Sequence, residues 1–298
     1  MVRQYKIHTN LDGTDDKVWD VTNGKVRFYQ PSNLGLQSTN NIWQSNGIGV
    51  MGTRSITQPQ IEFKLETFGE SLEENYQLMK DFINDILNKK FVTLEYQTEI
   101  FQVYADLALA DVTKTEGYGK NGTFSEKITF DIITKWYTYE NLTFDMVQNG
   151  KVLSGKSKIY GGTAPGDYKY VKGTSYTYYG ETNIERLSRW DIKDEIFSFI
   201  GILYPKLPKT PAGVRFLDDI GNEYTAIVFK TEQLQDYILI NTDVNDETYQ
   251  GWKGTTALNL FPVMDFERYR TRIIKKGQME LINSSKAEFK IKRKADFV

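Results

Sequence analysis

Only one stretch of this chain carries the three-and-four spacing of a helix. Almost everywhere else, apolar and polar residues alternate in short runs broken by Gly, Asn or Pro, so the fold must be built mainly from β-strands. From Gln60 to Phe68, Ile61, Phe63, Leu65 and Thr67 alternate with Glu62, Lys64 and Glu66, the pattern of a strand with one wet face, and Gly69 ends it. Ser71 and Glu74 then form an S-x-x-E capping box. Behind it Leu72, Tyr76, Met79, Phe82, Ile83, Ile86 and Leu87 set one apolar stripe along a helix. Strand patterns resume over 91–96, 101–110 and a long run at 124–139. Residues 1 to about 140 therefore predict a β domain carrying one packed helix.

The second half, 141–298, repeats the β pattern without a helix. Strands are predicted over 196–203, 214–217, 224–229, 237–241, 270–275, 279–282 and 287–292, with turns at Asp219-Ile220-Gly221-Asn222, Gly277 and Asn283-Ser284-Ser285. Short strands at such intervals indicate an antiparallel sandwich. In the last strand Phe289 and Ile291 alternate with Lys290, Lys292 and Lys294, which predicts a sheet edge protected by lysines rather than a nucleic-acid tail. Between about 148 and 189 the texture changes to glycines amid Tyr160, Tyr168, Tyr170, Tyr176, Tyr178 and Tyr179, with few aliphatics. Such a stretch makes no core of its own. Either it is a long disordered loop or, since disordered segments are poor in aromatics, a projecting arm of short hairpins whose tyrosines supply contact area for a partner.

A chain of 298 residues has room for two cores. With 37 Lys+Arg against 39 Asp+Glu it has no basic field to attract nucleic acid or an anionic membrane. Nowhere do 18 apolar residues follow one another, and the N-terminus carries no signal-peptide pattern. The absence of cysteine removes thiolate catalysis, zinc–thiolate sites and disulfides, and fits folding in a reducing cytoplasm. The 19 Tyr, 17 Phe and 5 Trp suit half-buried strands and binding surfaces.

Two glycine motifs promise chemistry and lack the context for it. Gly150, Gly155, Lys156 and Ser157 spell a phosphate loop, but the glycines and proline that follow forbid the helix that aims at the phosphate. Gly47, Gly49 and Gly52 spell a dinucleotide fingerprint, yet the chain continues through Pro59 into a strand. The expected role of this segment is a flexible loop whose flanks, Trp43 and Arg54, lie against a neighbouring subunit. His8 is the sole histidine, so no histidine metal site exists and a satisfied structural role is expected. Asp243-Val244-Asn245-Asp246-Glu247 lacks the glycine of a calcium loop and is expected to be acids in a turn. No catalytic, cofactor-binding or metal-binding residue is nominated.

In order along the chain, NIWQSNGIGVMG, QIEFKLETFG, SLEENYQLMKDFINDI and FSEKITFDIITKWYTYE resemble the N-terminal domain of siphophage distal tail proteins, most closely those of lactococcal phages. The closing KKGQMELINSSKAEFKIKRK is similar to the end of that family's galectin-like sandwich. The resemblance implies a β domain that closes into a hexameric ring continuing the tail tube, a galectin-like sandwich outside it, and an arm that anchors receptor-binding proteins. The partners it implies are other copies of this chain, tail-tube and tail-tip baseplate proteins, and the receptor-binding protein, in a virion assembled in the host cytoplasm. Sugar binding does not carry over, because the His/Asn/Arg/Trp/Glu set of true galectins is missing. The rival reading is a carbohydrate-binding module whose exposed Tyr and Trp stack on cell-wall polysaccharide.

Overall fold

A computed structural model describes residues 3–295 apart from positions 14, 36, 58, 115–118, 120, 121, 145, 146, 149, 150, 153–188 and 245. The chain divides into two compact units, one of residues 1–138 with the chain end from Ala295, the other of Tyr139–Lys294.

The first unit contains β1 (Gln4–His8), β2 (Val18–Asp20), β3 (Val26–Ser32), β4 (Gln37–Ser45), β5 (Ile48–Thr57), β6 (Ile61–Thr67), α1 (Leu72–Leu87), β7 (Val92–Gln97), β8 (Gln102–Thr113), β9 (Ser125–Ile132) and the start of β10 (Tyr137–Phe144). Its main sheet is antiparallel in the order β2–β1–β7–β8–β9–β6–β3. The two ends of this sheet meet, since the N–H of Phe28 donates to the carbonyl of Val21 at 2.7 Å. The core lies inside this curl, where Phe63 stacks on Phe28 at 4.6 Å and α1 inserts Phe82 edge-on against both Phe28 and Trp19. Alternation along β6 buries Ile61, Phe63, Leu65 and Thr67 and leaves the charged residues between them outward, as the sequence predicts.

α1 starts at its predicted cap, with Ser71 Oγ accepting from the N–H of Glu74 at 3.2 Å. The return arm of the box lands one residue upstream, where Glu74 accepts from the N–H of Glu70 at 2.7 Å. The apolar stripe needs correction. Asn75, Phe82 and Ile86 are buried, with Leu78, Met79 and Ile83 partly buried, whereas Leu72, Tyr76 and Leu87 are exposed. Asn75 holds the helix at this rotation by accepting from the N–H of Gly69 at 2.7 Å and donating to the carbonyl of Ser71 at 2.9 Å. The run 124–139 is likewise two strands. It breaks where Thr134 Oγ1 accepts from the N–H of Asp106 and Trp136 donates its indole N–H to Leu34.

The second unit takes the rest of β10 and adds β11 (Val147–Gln148), β12 (Lys151–Val152), β13 (Arg189–Ile192), β14 (Ile196–Pro205), β15 (Ala212–Leu217), β16 (Glu223–Phe229), β17 (Tyr237–Asn241), β18 (Thr248–Lys253), β19 (Thr256–Asn259), β20 (Gly277–Ile282) and β21 (Ser284–Lys294). One sheet runs β19–β18–β17–β14–β21–β10 and a second, four-stranded, runs β13–β20–β15–β16. Phe199, Ile238, Ile240, Phe289 and Ile291 from the first join Val214, Phe216, Ile227, Phe229 and Met279 from the second in one core. The lysine-bearing last strand is not an edge. β21 lies between β14 and β10, and its outward lysines have partners, Lys290 over the Tyr139 ring at 4.1 Å and Lys292 on Asp243 at 2.8 Å. Residues 270–275 also form no strand beyond a bridge between Ile196 and Ile274. The preceding segment instead runs along β16, with Asp265 donating to Val228 and Ala226 donating to Arg268.

Candidate assembly interface

The predicted flexible loop around Trp43, Gly47, Gly49, Gly52 and Arg54 is a two-stranded hairpin with one register shift between Asn40 and Ile42. β4 and β5 pair only with each other, and the turn between them is Asn46-Gly47 with both residues at positive φ, 49° and 78°. The glycines of the supposed fingerprint therefore serve a turn and a strand. Gly49 lies opposite Gln44, and a Cβ at Gly52 would crowd the Asn41 carbonyl and the Trp43 indole at 3.2 Å. Arg54 lies along the ribbon, donating from Nε to Asn40 Oδ1 at 2.9 Å.

Register sorts the side chains onto two faces. Ile42 sits opposite Met51 on one, and Trp43 opposite Val50 with Ser45 opposite Ile48 on the other. Every one of these residues is exposed, Trp43 at 68 % and Ile48 at 69 %. Between Gln37 and Thr57 the only charged residue is Arg54. An isolated two-stranded ribbon is marginally stable in water, and one with apolar groups on both faces has an unmet demand for burial. The five residues nominated from sequence thus come together on one exposed element.

The tyrosines at 160, 168, 170, 176, 178 and 179 lie outside the described residues, as do Gly150, Gly155, Lys156 and Ser157 of the phosphate-loop pattern. His8 is buried between two carboxylates, Asp16 at 2.7 Å from Nδ1 and Glu95 at 2.9 Å from Nε2, and Glu95 also holds Lys6. Burial pushes the Glu95 carboxyl up, but the hydrogen bonds from Lys6 and His8 outweigh it and leave it below its usual value. Sequence reasoning missed this network, which ties β1 to β7. The acids at 243–247 do more than cap a turn: Asp243 pairs with Lys292, Asp246 accepts from Asn241, and Glu247 accepts from the Tyr249 hydroxyl. Among the described residues no cluster of three or more His, Cys, Asp or Glu is placed to hold a metal, and no helix is long and apolar enough to cross a membrane.

What the arrangement offers is surface for assembly. Residues 4–133 match the family model described as the distal tail protein N-terminal domain, and residues 135–298 match the Dit C-terminal domain. The chain belongs to the distal tail protein family. Over all 298 residues, with both chains fully covered, it is 94% identical to the distal tail protein of Lactococcus phage p2 and 91% identical to that of Lactococcus phage SK1. It is also similar to a chain solved in the phage P2 baseplate in its activated conformation with Ca, at a TM-score of 0.80 and 94% identity with full coverage of both chains. The SPP1 Dit protein shares the fold at a TM-score of 0.53 and 11% identity, over 98% of this chain and 99% of that one. As a distal tail protein the chain is a structural component of the virion tail, and the rival reading as a wall-polysaccharide module is not favoured.

Proposed function

We propose that six copies of this chain close into a ring at the hub of the baseplate, joining the tail tube to the tail-tip proteins. The ring is built by residues 1 to about 140. One observation supports this reading above the others. The ring domain exposes a hairpin with a single charged residue, Arg54, and apolar side chains on both faces, all of them exposed. Trp43, Gly47, Gly49, Gly52 and Arg54 belong to that contact between subunits. Identical head-to-tail contacts that close leave no unmatched patch to propagate into filaments.

The Tyr-rich segment at about 148–189 is the arm that anchors the receptor-binding protein, through Tyr160, Tyr168, Tyr170, Tyr176, Tyr178 and Tyr179. Rigid amphipathic rings provide contact area there at low entropic cost. The chain carries no catalytic activity, so Lys156→Ala leaves assembly unchanged; ATP hydrolysis abolished by that substitution overturns this part. Light scattering on purified protein at micromolar concentration tests the ring directly. Six copies are expected, or twelve where rings pair face to face, and a monomer defeats the reading.

A further inference from the structure

We propose that the hairpin tip of one copy docks on an aromatic patch of the next copy's ring domain, formed by Leu72 and Tyr76 of α1 with Tyr29 and Phe68 beside them. This rests on the ring reading above and adds the receiving surface to it. Leu72 and Tyr76 belong to the apolar stripe of the helix by sequence, yet they remain 44% and 59% exposed because Asn75 turns the packed face away from them. Tyr29 and Phe68, with ring centroids 6.2 Å apart, are also exposed. Phe124 links the two pairs. Its ring lies 6.5 Å from that of Tyr76, and its carbonyl accepts from the N–H of Thr67, next to Phe68.

Two cations beside this patch are already engaged within the chain. Lys25 is paired with Glu74 at 2.5 Å, and the Arg27 guanidinium sits 4.6 Å over the Phe68 ring. A fitting partner is therefore apolar and brings no acid of its own, since these two cations are already engaged. The hairpin tip meets that description, with Trp43, Ile48, Val50 and Met51 and no ionisable side chain between Asn41 and Thr53. Within one chain the two surfaces do not cover each other, because both stay exposed. They are different surfaces on the same unit, which is what a head-to-tail ring contact requires.

The native chain has no cysteine, so single introduced thiols report cleanly. Ser45→Cys at the hairpin tip and Glu73→Cys beside Leu72 are both exposed positions that leave the apolar side chains intact. Mixing the two variants with a short bis-maleimide is expected to give a cross-linked heterodimer at least tenfold above that formed by Ser45→Cys with Ile100→Cys, an exposed control between β7 and β8. The double variant Ser45→Cys/Glu73→Cys is expected to ladder up to the ring size. Tyr76→Asp is expected to shift the oligomer towards monomer by at least tenfold in concentration, with an unchanged circular dichroism spectrum. If the unsubstituted chain scatters as a monomer, the ring reading fails and the docking with it. If it scatters as an oligomer while the Ser45–Glu73 pair cross-links no better than the control, the patch is not the receiving surface and the ring stands.

Discussion

Asn75 and Tyr76 are neighbours on α1 in opposite environments: the amide is fully buried and bonded to the backbone of Gly69 and Ser71, while the phenol stands exposed. Replacing Asn75 by Leu keeps the branched shape, at a larger volume, and removes the acceptor for the Gly69 N–H, leaving that half-buried donor without its bond. The expected cost is about 1–3 kcal/mol in urea unfolding. A variant as stable as the parent chain counts against this role for the amide.

Glu95 gives the first unit a dependence on acid. Its carboxyl is held below the ordinary value of 4.5 by Lys6 and His8 despite its burial. A carboxyl with a lower pKa in the folded than in the unfolded chain adds stability that is fully present above about pH 4.5 and is lost as pH falls through the folded value. The melting temperature is expected to fall as pH drops below that point. In Glu95→Gln that acid-side slope flattens, and at pH 7 the variant loses about 2 kcal/mol because Lys6 loses its carboxylate partner, while Asp16 still holds His8 Nδ1. Lys6 is partly exposed, which keeps the loss below that of a fully buried pair. A variant with the full acid-side slope places the dependence elsewhere.

These two residues also mark what the sequence makes legible. The start of α1 is written locally, in Ser71 and Glu74, and the register of β6 in its alternation, so both are readable without tertiary information. The rotation of α1 depends on a tertiary bond from Asn75, and an apolar stripe cannot report that Leu72 and Tyr76 stay outside. The hairpin had a plain local signal in Asn46-Gly47, the preferred pair for a two-residue turn, but the overlapping G-x-G-x-x-G pattern draws attention to the glycines instead. Outward lysines on β21 look the same in sequence whether they face water or a partner, and the acid that meets Lys292 lies 49 positions away. Of the candidate site, the shared position of Trp43 and Arg54 on one glycine-rich segment was legible; the opposed pairing of Ile42 with Met51 was not.

Gly277 supplies a prediction for the sandwich. It starts β20 at φ 147°, and a Cβ there would lie 2.0 Å from the Leu217 carbonyl oxygen, a backbone atom that has no room to move without disturbing β15. Gly277→Ala therefore combines a disfavoured dihedral with a clash and is expected to cost at least about 2 kcal/mol. Gly221, also at positive φ but with open space around its Cβ position, is the control. Gly221→Ala is expected to cost about 1 kcal/mol, the dihedral penalty alone. Similar losses at the two positions, by chemical denaturation, remove the clash from the account.

The pair between Lys292 and Asp243 tests the correction made to β21. Lys292 is a buried lysine in the middle of a sheet, with its ammonium 2.8 Å from Asp243 Oδ2. Were β21 an edge, removing the acid would leave the ammonium in water at a cost under about 1 kcal/mol, as for an exposed ion pair. In its actual position the ammonium loses a carboxylate 2.8 Å away without regaining solvent, and Asp243→Ala is expected to cost at least about 2 kcal/mol. Removing both charges is the informative step. Lys292→Met keeps the apolar stem, so the double variant Lys292→Met/Asp243→Ala is expected to recover at least about 1 kcal/mol relative to Asp243→Ala alone, because a neutral side chain needs no partner. The measurement is a double-mutant cycle from urea unfolding at pH 7. Strictly additive losses would mean that Lys292 finds solvent on its own, as a residue of an edge strand does.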